Sequence, residues 1–309
     1  MILAMIISSV FPVFALIALG VLLRRRGLVD ASFLRTGDRL VYYVYFPILL
    51  FWKIGGAPAQ AAFPWRLWGA GLGTILLMWL VCLLLIAVLR IRPYQAGAFT
   101  QATFRFNSFV AIAIVFNVQG DLGVARLGEL LGLAIPLCNV LAVMTFIWFS
   151  RESVGRRRRI VLTLGAIVRN PLILACAAGM IWARLLPAWP AVVDNSLRLG
   201  GSLTLPFALI SIGGSLTFVG LRERIVPAVV ATVLKVAGLP LIGWWLLGVA
   251  GVEGPDRLTA MLFFAMPTST AMYVLTTQLG GDANLSSVII VLSTLASFVS
   301  LSVTLALFA

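Results

Sequence analysis

The chain has 309 residues, of which 61% are hydrophobic and 11% are charged, and its mean hydropathy is +1.09. A soluble domain carries charge on about a quarter of its residues, so this composition excludes a soluble globular protein and favours a polytopic membrane protein. The net charge is +13, but most basic residues lie in short loops between apolar runs, which indicates membrane topology and not nucleic-acid binding.

Ten apolar runs of membrane-spanning length follow one another along the chain. Within lipid only a helix satisfies its backbone hydrogen bonds inside one segment, so each run is predicted to be a transmembrane helix. The predicted spans are 4–23, 38–55, 67–89, 97–118, 127–150, 160–183, 196–218, 226–248, 258–279 and 285–308.

Lysine and arginine are unevenly divided between the two sets of connecting loops. One set holds 15 of these residues and the other holds 6. Cytoplasmic loops are the richer in Lys and Arg, so the first set, which includes the cluster Arg156–Arg159, is predicted to be cytoplasmic. Both termini are then expected on the outer, periplasmic side of the inner (plasma) membrane.

The two halves of the chain match at an offset of 159 residues. Proline and glycine positions that fix kinks and close helix contacts correspond in pairs, namely Pro12 with Pro171, Gly20 with Gly179, Pro47 with Pro206, and Gly55 with Gly214. Each half holds five spans, an odd number, so the second half enters the membrane inverted. We therefore predict two inverted five-helix repeats, 1–155 and 156–309, as in alternating-access transporters whose site lies where the repeats meet.

Polar residues cluster near the middle of the fourth predicted span. These are Gln101, Arg105, Asn107 and Ser108, and polar groups at that depth are costly to bury in lipid. In one interpretation Arg105 is a counter-charge for an anion, and Asn107 hydrogen-bonds a substrate or caps a broken helix. In the other, these side chains join neighbouring helices and Arg105 extends towards the membrane surface.

Pro267 interrupts the ninth predicted span, where its missing N–H is expected to break the helix. Thr268, Ser269 and Thr270 follow directly and either satisfy the freed carbonyls or face a ligand. A broken helix directs an N-terminus with partial positive charge at the membrane centre, which creates an anion site from backbone alone. A simple proline kink is the alternative.

Lys235 lies near the centre of the eighth predicted span, in the segment TVLKVAGLP. An unpaired ammonium group is costly there. Three interpretations stay open: the ammonium neutralises an anionic substrate, takes the place of a coupling cation, or pairs with a carbonyl group or helix end.

Small residues predict close helix packing at two places, namely Gly69, Gly71 and Gly73 in the third span and Gly213 with Gly214 in the seventh. The chain has no histidine, and no acidic residue lies in the middle of a span. The sequence shows no metal constellation, no cofactor or ATP motif and no nucleophile–base pair. An intramembrane enzyme, or a sensor with a soluble output domain, is therefore a weaker alternative than a non-enzymatic carrier.

Five segments together resemble the auxin efflux carrier family of bacterial, fungal and plant transporters. In chain order they are RFNSFVAIAIVFNVQGDLG, NPLILACAAG, LPFALISIGGSL, LKVAGLP and AMPTSTAMYVL, the last followed by GGD. The resemblance implies ten helices in two inverted five-helix repeats, in the bile-acid-symporter and sodium–proton-antiporter-like fold. It also implies that the fourth and ninth helices are interrupted and cross at mid-membrane beside an organic-anion site.

By this resemblance, Asn107 and Pro267 mark the crossover, and Lys235 lies near the ion or charge position. Spans 1, 2, 6 and 7 are expected to form a scaffold, spans 3–5 and 8–10 a moving core, and two copies a homodimer. Substrates of the family are carboxylates such as auxin, malate or malonate, and a sodium-coupled bile-acid or sterol symporter is the nearest alternative. This chain has no proline from Arg105 to Gly120, so its fourth helix is expected to break less sharply than in the family.

Overall fold

The computed structural model describes residues 2–56, 64–149, 171–185, 189–215 and 221–309, and no strand occurs in these ranges. The basic cluster Arg156–Arg159 and the first part of the sixth predicted span lie outside the described residues. The helices are α1 Ile2–Arg25, α2 Ala31–Leu40, α3 Phe46–Gly55, α4 Trp65–Val88, α5 Pro93–Phe104, α6 Ser108–Phe149, α7 Pro171–Leu185, α8 Ala191–Ser202, α9 Thr204–Ser215, α10 Leu221–Val233, α11 Leu239–Val249, α12 Gly254–Ala265, α13 Ala271–Gln278 and α14 Ala283–Phe308.

Two of the connections between these helices are wider π-helical turns, each five residues long. Val41–Tyr45 joins α2 to α3, and Leu234–Gly238 joins α10 to α11. The chain is helical through both turns, so α2–α3 and α10–α11 are each continuous across the junction.

Five helical segments among the described residues are long and apolar enough to cross a membrane, which makes the chain an all-α membrane protein. They are Trp65–Val88, Pro93–Phe149, Ala191–Gly214, Arg224–Val249 and Ala283–Phe308. A shorter apolar helix covers Leu174–Leu185. The segment Pro93–Phe149 contains both the fourth and the fifth predicted spans. The total of ten spans and the inverted repeat stay predictions.

The helices group into two compact units. The first comprises Met1–Trp65, Phe109–Leu133 and Val168–Leu216, and the second comprises the remaining residues, Arg66–Ser108, Ala134–Ile167 and Thr217–Ala309. All eight candidate site residues of the fourth, eighth and ninth predicted spans belong to the second unit.

In the first unit, α1 packs against α9 with backbone against backbone. A Cβ atom on Gly20 would lie 2.0 Å from the carbonyl oxygen of Ile210, and one on Gly213 would lie 1.8 Å from the carbonyl oxygen of Ile17. Neither position has room for a side chain, so these glycines allow the close approach. The close packing predicted for Gly213 is confirmed.

The glycines of α4, in the second unit, behave differently. A Cβ atom placed on Gly69 would have no described neighbour within 4 Å. A Cβ atom placed on Gly73 would lie 3.6 Å from the side-chain Cδ1 of Leu246, its nearest described neighbour. The predicted close backbone packing is wrong at these two positions, because no second backbone approaches them in the described part of the chain.

A glycine also sets the turn between the fourth and fifth predicted spans. Gly120 has φ +64° and ψ −153°, a conformation that side chains disfavour and glycine tolerates. Ser108–Phe149 therefore consists of two helices that meet at this residue. Beside the turn, Asp121 forms an ion pair with Lys53 of α3, whose Nζ also lies 3.9 Å from the centroid of the Trp52 ring.

Two interruptions of helical structure lie in the second unit. The first separates α5 from α6 at residues 105–107, where Arg105 is extended with φ −70° and ψ 148°. The second separates α12 from α13 at residues 266–270, where Met266 is extended with φ −63° and ψ 151°. α5 ends at Phe104 although no proline lies from Arg105 to Gly120, and the expectation of a less sharp break than in the family stays a prediction.

Candidate functional site

The two interruptions are joined by a backbone hydrogen bond. The N–H of Asn107 donates to the carbonyl oxygen of Pro267 at 2.9 Å. Beside it, the rings of Phe106 and Phe263 have centroids 4.3 Å apart. The fourth helix can end without a proline because the backbone N–H of Asn107 donates to the Pro267 carbonyl oxygen in the other interruption. This N–H therefore needs no acceptor within its own helix.

Buried polar side chains surround this junction. Asn107 is 2% exposed, Thr268 is 0% exposed and Arg105 is 9% exposed. The Arg105 Nη2 donates to the Oδ1 of Asn139, on the second helix of α6. Buried polar groups of this kind need partners, since an unpaired one costs several kcal/mol in an apolar medium, and Asn139 supplies one for the guanidinium.

Lys235 lies within the π-helical turn Leu234–Gly238 and is wholly buried. Its Nζ donates to the carbonyl oxygen of Phe264 at 3.4 Å. Phe264 belongs to the last turn of α12, where the helix carries partial negative charge that favours a cation. The contact present in the structure is thus with a helix end, while the other two interpretations of Lys235 concern a ligand.

The hydroxyl residues of the second interruption differ in what they contact. The Thr268 N–H donates to Ser293 Oγ of α14 at 3.3 Å. Ser269 Oγ accepts from the N–H of Ala271 at 3.3 Å, at the start of α13. Ser269, Thr270 and, at the start of α6, Ser108 are half-buried, so these three side chains lie nearer to a surface than the buried Thr268 does.

A polar network that the sequence analysis did not identify supports the interruptions from one side. Gln101 Nε2 donates to Thr276 Oγ1 at 2.7 Å and to the carbonyl oxygen of Met272 at 3.3 Å. Thr276 Oγ1 is also 2.9 Å from Ser286 Oγ. The network joins α5, α13 and α14. Ser286 and Ser293 lie seven residues apart in an apolar span, and that spacing was the available signal.

A second network ties together the starts of three helices in the same unit. Asp282 caps α14 by accepting from the Leu285 N–H at 3.0 Å, and Arg224 Nε donates to both of its carboxylate oxygens at 2.9 and 2.8 Å. Gln95 of α5 donates to the same carboxylate at 3.1 Å. Among the described residues, no group of three or more His, Cys, Asp or Glu side chains could hold a metal ion.

Comparison with known proteins gives the class of protein to which this apolar, helical chain belongs. A family model described as "Membrane transport protein" matches residues 150–305, half of the chain. The chain belongs to the auxin efflux carrier family. No curated protein matches it.

Membership in the auxin efflux carrier family makes this chain a membrane transport protein, and the family is not one of enzymes. The matched region contains Lys235 and the interruption at Pro267. Arg105 and Asn107, which form the other side of the junction, lie before it.

Proposed function

We propose that this auxin efflux carrier family member is a secondary transporter of a small organic anion, a carboxylate such as an auxin-like acid, malate or malonate. It moves the anion across the inner membrane by alternating access, with its termini on the periplasmic side. The observation that carries the proposal is the Asn107–Pro267 hydrogen bond, because it joins two interrupted helices inside a membrane transport protein.

The electrostatics of the junction favour an anion. α13 begins at an interruption, and the N-terminus of a helix carries partial positive charge. Two cationic side chains, Arg105 and Lys235, are buried in the same unit. A carboxylate that reached this region would therefore meet positive charge that offsets the loss of its hydration.

The proposed roles of the side chains follow from their exposure and chemistry. Asn107 donates an amide hydrogen bond to the carboxylate, and Arg105 supplies the counter-charge. Half-buried hydroxyl groups of Ser108, Ser269 and Thr270 complete the contacts, while Thr268 and Pro267 fix the shape of the interruption. Lys235 contributes positive charge from the end of α12.

The proposed mechanism moves a core against a scaffold. The grouping of the candidate residues in one unit with α4, α5 and α10–α14 supports a core of spans 3–5 and 8–10. The other unit contains spans 1 and 2 and most of spans 6 and 7, the proposed scaffold, together with Phe109–Leu133 of spans 4 and 5. Ion gradients or the membrane potential supply the energy, and a homodimer in the lipid bilayer is the proposed assembly.

The test combines binding and transport with a matched pair of asparagine variants. Purified protein is screened by thermal unfolding against small mono- and dicarboxylates, since a ligand that binds the folded state raises its apparent stability. The best ligand is then used for uptake into proteoliposomes. Asn107→Ala is expected to abolish both responses, whereas Asn117→Ala, an exposed asparagine of α6, is expected to retain them.

The outcomes separate the proposal from its alternatives. Carboxylate uptake by Asn107→Ala at the wild-type rate would refute the proposed site. Uptake of a sterol or bile acid that requires Na⁺, with no response to small carboxylates, would favour the bile-acid-type symporter instead.

A further inference from the structure

Five exposed arginines lie where α1 turns into α2 in the first unit, and the proposed transport site uses none of them. They are Arg24, Arg25, Arg26, Arg35 and Arg39. The first three lie at the end of α1 and the other two lie on α2, and residues 26–30 join the two helices. Residues 24–44 are called the α1–α2 corner below.

The arginines at the end of α1 are not needed to cap that helix. The carbonyl oxygen of Leu23 accepts from the Leu28 N–H at 3.0 Å, and that of Arg24 accepts from the Gly27 N–H at 3.2 Å. Gly27 has φ +71°, the left-handed conformation that commonly ends a helix with main-chain bonds of this kind. Because the backbone satisfies the end of α1, the guanidinium groups there are left to bind something else.

The positive charge of the α1–α2 corner is not neutralised within the described part of the chain. None of the five guanidinium groups forms an ion pair or a hydrogen bond with a described residue. The corner contains two acidic residues. Asp30 accepts from the Phe33 N–H at 2.6 Å and so caps α2, and Asp38 forms no ion pair with a described residue. The corner therefore carries a net charge of +3.

α2 directs one face to the protein and its arginines to another. Leu34 and Gly37 are buried, and the Cδ1 of Leu34 would lie 2.7 Å from a Cβ atom on Gly214 of α9. Arg35 and Arg39 are four residues apart, so they share a face of the helix that differs from the one in contact with α9. This basic face is exposed along its length.

Exposed apolar surface begins directly after the last arginine of the corner. Leu40, Tyr43 and Val44 are all exposed, and the last two belong to the π-helical turn that continues α2 into α3. The surface along this helix therefore changes from cationic to apolar within about one turn. That order is complementary to an amphiphilic molecule with an anionic head and a hydrocarbon tail.

We propose that the α1–α2 corner binds an anionic phospholipid of the leaflet predicted to be cytoplasmic. The phosphate lies at the arginines, and one acyl chain lies along Leu40, Tyr43 and Val44. Clusters of about four to eight basic residues beside a transmembrane helix attract anionic headgroups, and arginine binds phosphate through two parallel N–H donors. A zwitterionic lipid lacks the net charge that the corner complements. This lipid site goes beyond the proposed transport function and needs no transported anion.

The test identifies the lipid that touches Tyr43, whose side chain is 60% exposed. Tyr43 is replaced by the photo-crosslinking residue p-benzoylphenylalanine in the full-length chain. The protein is placed in nanodiscs of equal phosphatidylglycerol and phosphatidylcholine, irradiated, and analysed for lipid adducts by mass spectrometry. Adducts of phosphatidylglycerol are expected to exceed those of phosphatidylcholine at least about fivefold, the preference that one arginine near an anionic headgroup provides.

Two double variants with the same loss of charge show which arginines set this preference. Arg35→Gln with Arg39→Gln is expected to bring the adduct ratio close to one. The matched control is Arg90→Gln with Arg92→Gln, since both residues are exposed and lie in another loop that is predicted to be cytoplasmic. The control is expected to keep the preference. Equal adducts of the two lipids with all arginines in place would overturn the proposal, as would the same adduct ratio in both double variants.

Thermal unfolding in detergent gives a second readout that does not depend on crosslinking. A ligand of the folded state raises its apparent stability, so added phosphatidylglycerol is expected to raise the wild-type midpoint by about 2 °C more than that of the Arg35/Arg39 double variant. Inorganic phosphate at equal ionic strength is expected to give no such difference. If phosphate raised the wild-type midpoint as much as the lipid does, a free-anion site would replace the proposed lipid site. Neither measurement contains a carboxylate substrate, so both can fail while the Asn107 experiment succeeds, and the reverse also holds.

Discussion

The Asn107 N–H and the Pro267 carbonyl oxygen form a 2.9 Å hydrogen bond that links the fourth and ninth predicted spans at their interruptions. The bond uses main-chain atoms only, so replacing the Asn107 side chain leaves it in place. Loss of transport in Asn107→Ala would therefore report on the amide side chain and not on the contact between the interruptions.

The first prediction concerns Pro267→Ala. Alanine supplies an N–H that can donate to the Phe263 carbonyl oxygen, which favours extension of α12 through the interruption. Carboxylate uptake is expected to fall by at least about tenfold, equivalent to about 1.4 kcal/mol, while the protein stays folded. Uptake into proteoliposomes, with thermal unfolding in parallel, measures both quantities.

The control for this variant is Pro227→Ala. Pro227 lies inside α10, which continues through it, so an added N–H there alters no interruption. Uptake is expected to be unchanged. Equal losses in the two proline variants would show that the interruption at Pro267 has no special role.

The second prediction compares two glycines of α11. A methyl group on Gly243 would lie 2.2 Å from the Phe264 ring. A methyl group on Gly248 would have no described neighbour within 4 Å. Gly243→Ala is expected to destabilise the protein by about 1–3 kcal/mol through overpacking. Gly248→Ala is expected to be neutral or to stabilise by up to about 1 kcal/mol, since alanine favours a helix. Thermal unfolding of the pair measures the difference, and equal midpoints would contradict the described packing.

The third prediction is a coupling between Gln101 and Thr276. The Gln101 amide donates two hydrogen bonds, but its Oε1 is buried with no hydrogen-bond partner in the described residues, which reduces the net cost of removing the side chain. The free energy of unfolding is measured for the wild type, for Gln101→Leu, for Thr276→Val and for the double variant. This double-mutant cycle is expected to give an interaction energy between the two side chains of about 0.6–1.7 kcal/mol.

The control cycle pairs Gln101→Leu with Ser302→Ala. Ser302 is half-buried on α14, and its hydroxyl donates to the Phe298 carbonyl oxygen in its own helix. Zero coupling is expected in that cycle. A value of zero for Gln101 and Thr276 as well would mean that their hydrogen bond contributes nothing to stability.

The fourth prediction separates the two roles of Asp282. Asp282→Asn keeps a side chain that caps α14 but loses the charged pairing with Arg224, whereas Asp282→Ala loses both. Removing one partner of a buried ion pair costs about 3–5 kcal/mol, and losing a helix cap costs about 1 kcal/mol more. Both variants are expected to unfold at lower temperature, with Asp282→Ala the lower. The same midpoint for both would show that capping adds nothing.

Composition and the apolar runs predict an all-helical membrane protein, because the length and polarity of a spanning helix are recorded residue by residue in the sequence. The end of α5 is not recorded in this way. Its partner, the Pro267 carbonyl oxygen, is a backbone atom from a distant segment, and no local pattern at Arg105–Asn107 indicates it.

The contacts of the glycines and of Lys235 also depend on distant segments of the chain, so local sequence does not predict them. A glycine permits close approach, but the sequence does not say whether a second backbone arrives, so Gly213 and Gly69 look alike and differ in the structure. The cost of burying Lys235 identified it as a special residue. Its acceptor, the carbonyl oxygen of Phe264, is available because α12 ends beside it. That pairing is visible only in the folded structure.

The contact between α1 and α9 limits the amino-acid substitutions that this protein can accept. At Gly20 and Gly213 one main chain touches another, and the smallest available mutation, the gain of a single methyl group, already exceeds the gap. Surrounding apolar residues can exchange methylene groups in compensating pairs, but no partner substitution makes room in a peptide backbone. A saturation library at these two positions should thus return glycine alone, while the apolar positions around them tolerate many alternatives.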